Sequence, residues 1–346
     1  LGDVYKRQDQ YEVLQLGTAT SKTGFMNSKW QDGYNSIQRA NLVIRNVADA
    51  PIEEGTKNQI LGEAHFLRAL VYFHLMDYFG GLPLYDESVD LEKDFNNLMN
   101  PRSSVEDTRA FIVKDLEKAL ECGLPEAWDS ENYGRVTLTA VQALLGKVYL
   151  YAKEYDKAVE WMNKLRERAG YKAGEDRSKN VDGGQAYKNN PYCSGKGGGH
   201  SSEGAIYWEE NTYYESNNIE QETTASTKTT MKLNSVSDVY NSTVDVPIYN
   251  ELGCTSNADK MMCFLLNERT RELCGELQRW EDLARTKTLD ARWHKFNDGA
   301  SRGLGEFKSE KHYYRPIPQA FLDGITNSNG SALSNEEKKA MQNPGY

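Results

Sequence analysis

The chain has 346 residues, with 41 Lys and Arg against 51 Asp and Glu, a net charge of −10 and a mean hydropathy of −0.73. That length can build a sizeable core as one large domain or two. The acidic balance, with no Lys/Arg cluster, excludes nucleic acid, whose phosphates need a basic face, and no run of 18 apolar residues offers a membrane-spanning helix. Cys122, Cys193, Cys254, Cys263 and Cys274 are scattered without zinc spacing, so most are expected to be buried thiols. The opening LGDVYKRQ has neither an initiator Met nor the charged and apolar regions of a leader, and reads as a fragment.

In residues 30–46, Trp30, Tyr34, Ile37 and Leu42 or Ile44 fall near one helical stripe before Asp49, Pro51 and Gly55 break it. A long helix follows from about 56 to 78. It contains GEAHFLRALVYFHLMDYFGGLPLY and stops at Gly80 and Gly81, with Pro83 beyond. Being apolar around much of its girth, it is expected at the centre of a helical core. Ser103 or Ser104, with Asp107, starts the next helix. Its stripe is Val105, Ile112, Leu116, Ala119 and Leu120, and it stops at Gly123 and Pro125.

Residues 134–170 read as two helices joined near 153–155. The tetratricopeptide pattern asks for Leu-Gly-x-x-Tyr in a first helix and Ala nine residues after that Tyr in a second. Leu145, Gly146, Tyr149 and Ala158 satisfy it, and Tyr155 fits the turn. Gln142 stands where the pattern has Trp, and Gly170 near its Pro. The pair predicts a helix hairpin of that type, with the helices at 30–46 and 56–78 as a degenerate second one.

From 170 to about 257, Gly, Ser, Asn, Thr and Tyr dominate and helical periodicity disappears. A strand is expected at 205–208, and Tyr207, Trp208, Tyr213, Tyr214 and Tyr240 crowd into the region. Residues 261–285 then read as one amphipathic helix, with Leu266, Leu273, Leu277, Trp280 and Leu283 on the packed face and mixed charge opposite. Pairs such as Glu268 with Arg271, or Glu272 with Arg279, are available to that charged side. Residues 313–319, Tyr-Tyr-Arg-Pro-Ile-Pro-Gln, read as an extended, proline-stiffened segment.

No catalytic motif stands out. SGKGGGH at 194–200 lacks the spacing of a phosphate loop. His65, His74, His200, His294 and His312 contain no metal-binding helical pair, and His65 and His74 fit helix packing. Glu272 and Glu276 have helical spacing, better explained by a charged helix face than by a glycosidase pair. No metal or cofactor is expected. The loop aromatics are the candidates for binding, because aromatic rings stack on apolar sugar faces while their polar groups hydrogen-bond. Loops on a rigid scaffold are where such residues sit. On composition alone, Trp208, Tyr213 and Tyr214 are the candidate ligand contacts; the alternative is that these rings form the small core of an irregular segment.

Several blocks, in order, resemble the SusD/RagB family of outer-membrane nutrient-binding lipoproteins. They include Gly62-Glu63-Ala64 with Arg68 and Tyr72, Pro101-Arg102, and Arg271-Glu272-Leu273 with Gly275-Glu276. Arg279-Trp280 with Asp282-Leu283, Arg315-Pro-Ile-Pro-Gln319 and Asn343-Pro-Gly-Tyr346 complete the set. The resemblance covers nearly the whole chain outside roughly 172–260. It implies a mostly α, SusD-like fold in one domain spanning 1–346. Tetratricopeptide-like hairpins (30–169) would support a loop-rich, aromatic-bearing region (170–260), followed by a signature helix and tail (261–346). It also implies a non-catalytic, cell-surface protein that captures oligosaccharide, or a peptide in some members. Such a protein is held on the extracellular face of a Bacteroidetes-type outer membrane by an N-terminal lipid anchor that this chain lacks, and it hands its ligand to a SusC-like TonB-dependent transporter. The rival reading is a tetratricopeptide scaffold binding a protein or peptide in its groove. Between 240 and 260, about twenty residues stand where the family has a longer stretch with a helix that pairs with 261–285, so that helix's apolar face must find another cover.

Overall fold

The computed structural model describes residue 13 and residues 17–89, 100–168, 235–242, 244–272, 279–296, 308–327 and 330–346. The fold is mostly helical, and the extended pairing among the described residues is an antiparallel bridge between Thr326 and Ala332. Two compact units form, one from Leu1–Met162 with Glu268–Tyr346 and one from Asn163–Asn267.

In the first unit, α1 (Gly24–Ala48) and α3 (Val105–Glu121) both pack along α2 (Glu54–Phe79), and α4 (Leu138–Tyr151) packs on α3. The sequence dictates this centre. Ala64, Phe66, Ala69, Tyr72, Phe73, Leu75, Met76 and Phe79 of α2 are all buried, so the helix has no single apolar stripe and needs neighbours on several sides. On α1 the buried stripe is Met26, Trp30, Ile37, Ala40 and Ile44; Leu42 points outward. Trp30 anchors it, with ring centroids 5.0 Å from Phe79 and 4.7 Å from Phe321. Gly33 makes the α1–α2 contact possible, because a Cβ there would lie 2.8 Å from both methyls of Leu75. Ser104 caps α3, its hydroxyl accepting the Asp107 N–H at 2.9 Å.

The tetratricopeptide-like hairpin is present. α4 is followed after three residues by α5 (Tyr155–Arg168). Leu145, Tyr149 and Ala158 are buried as expected, and a Cβ on Gly146 would come within 2.6 Å of the Met162 terminal methyl. Of the three described cysteines, Cys263 is buried while Cys122 and Cys254 are half-buried, so burial is less general than expected.

In the second unit, residues 235–257, expected to be irregular, instead form short helices: α6 (Val236–Tyr240), α7 (Val246–Glu251) and the start of α8 (Asn257–Glu272). Helices of five or six residues are too short to display a period, but their ends are specified. The Asp238 carboxylate accepts the Ser235 N–H at 2.9 Å, and Pro247 sits in the first turn of α7. These helices supply a cover for α8. Its buried Asn267 donates to Asp245 at 2.7 Å, and Tyr249 donates to the Val239 carbonyl at 2.8 Å.

The single helix expected over 261–285 is corrected. α8 is followed by α9 (Arg279–Arg285), and Arg269 Nε bonds Asp282 Oδ2. Thirteen residues along one straight helix span about 20 Å, so the two helices are not one rod. The first unit closes with α10 (Leu289–Phe296), α11 (Ser309–His312), α12 (Gln319–Gly324) and α13 (Asn335–Met341).

Candidate functional site

Trp208, Tyr213 and Tyr214 lie outside the described residues, as do the strand expected at 205–208 and Glu276 of the carboxylate pair. The described residues show how the helical scaffold of the first unit is held.

A helix end leaves its last carbonyls without partners in the helix. At the C-terminus of α2 the family-like motifs supply those partners. Gly80 N–H reaches Met76 O at 2.9 Å, and Arg315 N–H reaches Tyr78 O at 2.7 Å. Phe79 O accepts from Arg102 Nη2 at 2.7 Å and from Asn343 Nδ2 at 3.0 Å. Arg102 also donates to Gly81 O, to Met341 O and to Asn343 Oδ1. Asn343 donates to Arg315 O at 2.6 Å. Gln342 pairs with both backbone groups of Ile317, which is fully buried in the extended segment. The Arg315 guanidinium lies 3.8 Å from the centre of the Trp280 ring. Arg102, Arg315 and Asn343, with Gln342 holding Ile317, therefore form a clamp on the end of α2, and these residues of the family-like motifs act structurally.

A second polar device joins α1, α2 and α3. Arg68, 2 % exposed, donates to both Asp115 oxygens at 2.7 and 2.6 Å, to Asn41 at 2.6 Å and to Glu87 at 2.7 Å. His65 Nδ1 lies 2.9 Å from Asp115 Oδ1, so this helix-packing histidine packs through a charge network. Burial opposes ionisation of Glu87, but the hydrogen bond and charge of Arg68 outweigh it and hold the carboxyl down at about 2.

A third cluster was not visible in the sequence. Burial, and then the neighbouring Glu281 charge, push the Asp77 carboxyl near the end of α2 up to about 8. Burial raises Glu281 as well, against Arg315 and Lys29, and its Oε2 is buried with no hydrogen-bond partner among the described residues. Lys147 and Arg285 contribute opposing charge around Asp77. Asp282 next door is buried but held by Arg269 and Arg285. The cluster can hold a proton near neutral pH, which couples packing to pH. Its only sequence signal is an acid in the apolar last turns of α2.

A pocket of about 450 Å³ is lined by Gly17, Lys308, Glu310, Lys311, His312 and Gly345. The Lys308 N–H donates to His312 Nδ1 at 2.9 Å, so the ring hydrogen sits on Nε2 and is donated to Gly17 O at 3.0 Å. Burial lowers the His312 pKa and favours this neutral form. Among the described residues the lining is polar and contains no Trp, Tyr or Phe ring on which a sugar face would stack. Among the described residues no group of three or more His, Cys, Asp or Glu is placed to hold a metal ion, and no helix is long and apolar enough to cross a membrane.

A family model described as "Starch-binding associating with outer membrane" matches residues 3–150. The SusD family model matches residues 148–346, more than half of the chain. SusD-like protein P38 of Formosa agariphila is 32% identical over 142 residues, 41% of this chain and 26% of that protein. A SusD-like protein of Bacteroides ovatus is 30% identical over 128 residues, 36% of this chain and 22% of its own length. The matched stretch thus spans about a quarter of the length of these curated relatives. Among solved structures, a laminarin-binding SusD-like protein superposes with a TM-score of 0.57 at 20% identity, over 96% of this chain and 88% of its own. The chain belongs to the SusD family, and its mostly α fold is that of a SusD-like protein.

Proposed function

We propose that this SusD-family chain captures extracellular oligosaccharide without cleaving it and delivers it to a SusC-like TonB-dependent transporter. Capture takes place on the outer face of a Gram-negative, Bacteroidetes-type outer membrane, where an N-terminal lipid anchor holds the protein. The observation that carries the reading is the family match, together with the structural role of the family-like motifs. Arg102, the Arg315 backbone and Asn343 are spent on the end of α2 and Gln342 on Ile317, so ligand chemistry falls to other residues. The aromatic Trp208, Tyr213 and Tyr214 are the proposed sugar contacts, stacking on pyranose faces.

The test is native affinity electrophoresis of the chain against plant, host and microbial polysaccharides, with laminarin first because a relative of the same fold binds it. Retardation by one polysaccharide, lost in Trp208→Ala, Tyr213→Ala and Tyr214→Ala without loss of fold, supports the reading. Retardation unchanged in all three removes those residues from the site.

One observation favours a second reading, a protein or peptide partner. Tyr155, Val159 and Met162 of α5 recur at helical spacing and are 54, 56 and 40 % exposed, which is the pattern of a helix face that accepts another helix or an extended peptide. Capture of a protein partner that is released by Val159→Glu, with glycan retardation absent, would decide for it.

A further inference from the structure

The ring of His312 ties two distant stretches of backbone together. A helix start leaves N–H groups without partners in the helix. The Lys308 N–H, just before α11, donates to His312 Nδ1 at 2.9 Å, so the side chain at the end of this one-turn helix reaches back to its start. The other ring nitrogen donates to Gly17 O at 3.0 Å. Glycine permits that approach, because a Cβ on residue 17 would lie 2.9 Å from His312 Nε2, and the φ of 67° there lies in the left-handed region. Two residues on, Ala19 is buried, and the Ser21 carbonyl accepts the Gln319 N–H at 2.8 Å. The segment leading into α1 is thus fastened to residues 308–319 at Gly17 and again at Ser21.

The first of these fastenings depends on one charge state. A backbone N–H can only donate, so Nδ1 must keep its lone pair, and neutral imidazole with its hydrogen on Nε2 is the form that makes both ties. A proton on Nδ1 sets two hydrogens against each other and breaks the Lys308 tie. The surroundings oppose that proton. His312 is 3 % exposed. Burial, and the charges of Lys311 on the same helix and Arg315 just beyond it, disfavour an imidazolium. The segment before α1 meets the ring through the Gly17 carbonyl. The C-terminal residues bring Gly345, which lines the same pocket, and Tyr346, whose ring centre lies 4.8 Å from the Lys311 ammonium. Glu310 is the acid among the described residues of that lining, and it is exposed, where water and salt screen it.

We propose that His312 is a pH-sensitive latch that holds the segment leading into α1 on α11 at neutral pH and releases it on acidification. In the open form the ring is solvated and titrates near the ordinary histidine value of about 6.5. The open form therefore takes up protons more readily than the closed one, and its population rises as pH falls through that value. Linkage puts the rise at about tenfold between pH 7.5 and pH 5.5. Release moves the Gly17 wall of the pocket, so acid loosens the leading segment and opens the pocket together.

Hydrogen exchange of the whole chain at those two pH values, each rate divided by its intrinsic value at that pH, reads the opening at the Lys308 N–H. The Ala152 N–H, bonded to Val148 O at the end of α4, is the control. Opening at Lys308 should rise about tenfold on acidification while Ala152 stays level. His312→Gln offers a carboxamide N–H to Gly17 O but does not titrate, so its ratio of opening at the two pH values should fall to about one, whatever its basal level. Gly17→Ala, with its Cβ against Nε2, should raise opening at neutral pH at least about fivefold. Ring NMR of the wild type needs no variant to fold: it should show the hydrogen on Nε2 at neutral pH and a titration midpoint below the ordinary value. A ring with its hydrogen on Nδ1, or one that titrates at or above the ordinary value, overturns the latch. So does a rise at Lys308 that is absent, is matched at Ala152 or survives in His312→Gln, and so does unchanged opening in Gly17→Ala.

Discussion

Asp115→Ala is the most informative single perturbation of the scaffold. Asp115 is 2 % exposed and accepts from Arg68 Nε, Arg68 Nη2 and, at its Oδ1, the His65 ring. Its loss leaves the guanidinium, 2 % exposed, bonded through Nη1 alone to Asn41 and Glu87. Removing one member of a buried ion pair costs about 3–5 kcal/mol, most of it the uncompensated charge. Glu87 remains and its side chain is 29 % exposed, so partial compensation puts the loss at the low end, about 3 kcal/mol. The double variant Arg68→Leu/Asp115→Leu removes the orphaned charge along with its partner. It should lose clearly less than the sum of the single changes, with a coupling of about 2 kcal/mol or more. Urea unfolding at neutral pH reads this as a shift in midpoint at constant slope. A loss below about 1 kcal/mol for Asp115→Ala, or strict additivity in the double variant, would refute the claim that the network is a single buried unit.

Other perturbations follow from the same geometry. Asp77 is protonated in the fold and ionised in the unfolded chain between its ordinary range and about 8, so stability should fall as pH rises through that window. Asp77→Asn should flatten that dependence, and calorimetry at about pH 8 should place its Tm above wild type by about 2–4 °C; a parallel pH profile would contradict the cause. Asn343→Ala strips partners from Phe79 O and Arg315 O and should lower stability by about 1–3 kcal/mol. Its glycan affinity, measured well below Tm, should be unchanged, whereas a large loss of affinity at constant fold would place Asn343 in the binding site. Gly33→Ala pushes into the branched end of buried Leu75 and should cost about 1–2 kcal/mol net of improved helix propensity. Gly146→Ala meets mainly the swinging methyl of Met162 and should stay within about 0.5 kcal/mol, so denaturant midpoints that reverse this order would contradict the packing.

How much of this the sequence announces depends on how local each cause is. α2 was legible because an all-round apolar helix must be central. The α4–α5 hairpin was legible because small residues such as Gly146 and Ala158 mark where two helices approach closely. The break between α8 and α9 was hidden, since Leu266 and Leu283 fit one helical period even though Arg269 folds back onto Asp282. α6 and α7 were hidden by brevity. The clamp was half legible. Its motifs stood out as a resemblance, but that Asn343 meets Phe79 O depends on contacts across most of the chain. Asp77 shows in the sequence only as an acid in the apolar last turns of α2, because its raised pKa comes from burial and from neighbours on other elements. The aromatic contacts proposed at Trp208, Tyr213 and Tyr214 rest on composition, and their test is chemical.

The measurement that tests the central claim most directly is calorimetric titration of the chain with oligosaccharides from whichever polysaccharide retards it, with reducing ends assayed in the recovered sample. Glycan capture predicts saturable heat, unchanged oligosaccharide length and no new reducing ends. Reducing ends that rise with time, or no saturable heat from any glycan while the chain remains folded, would contradict it.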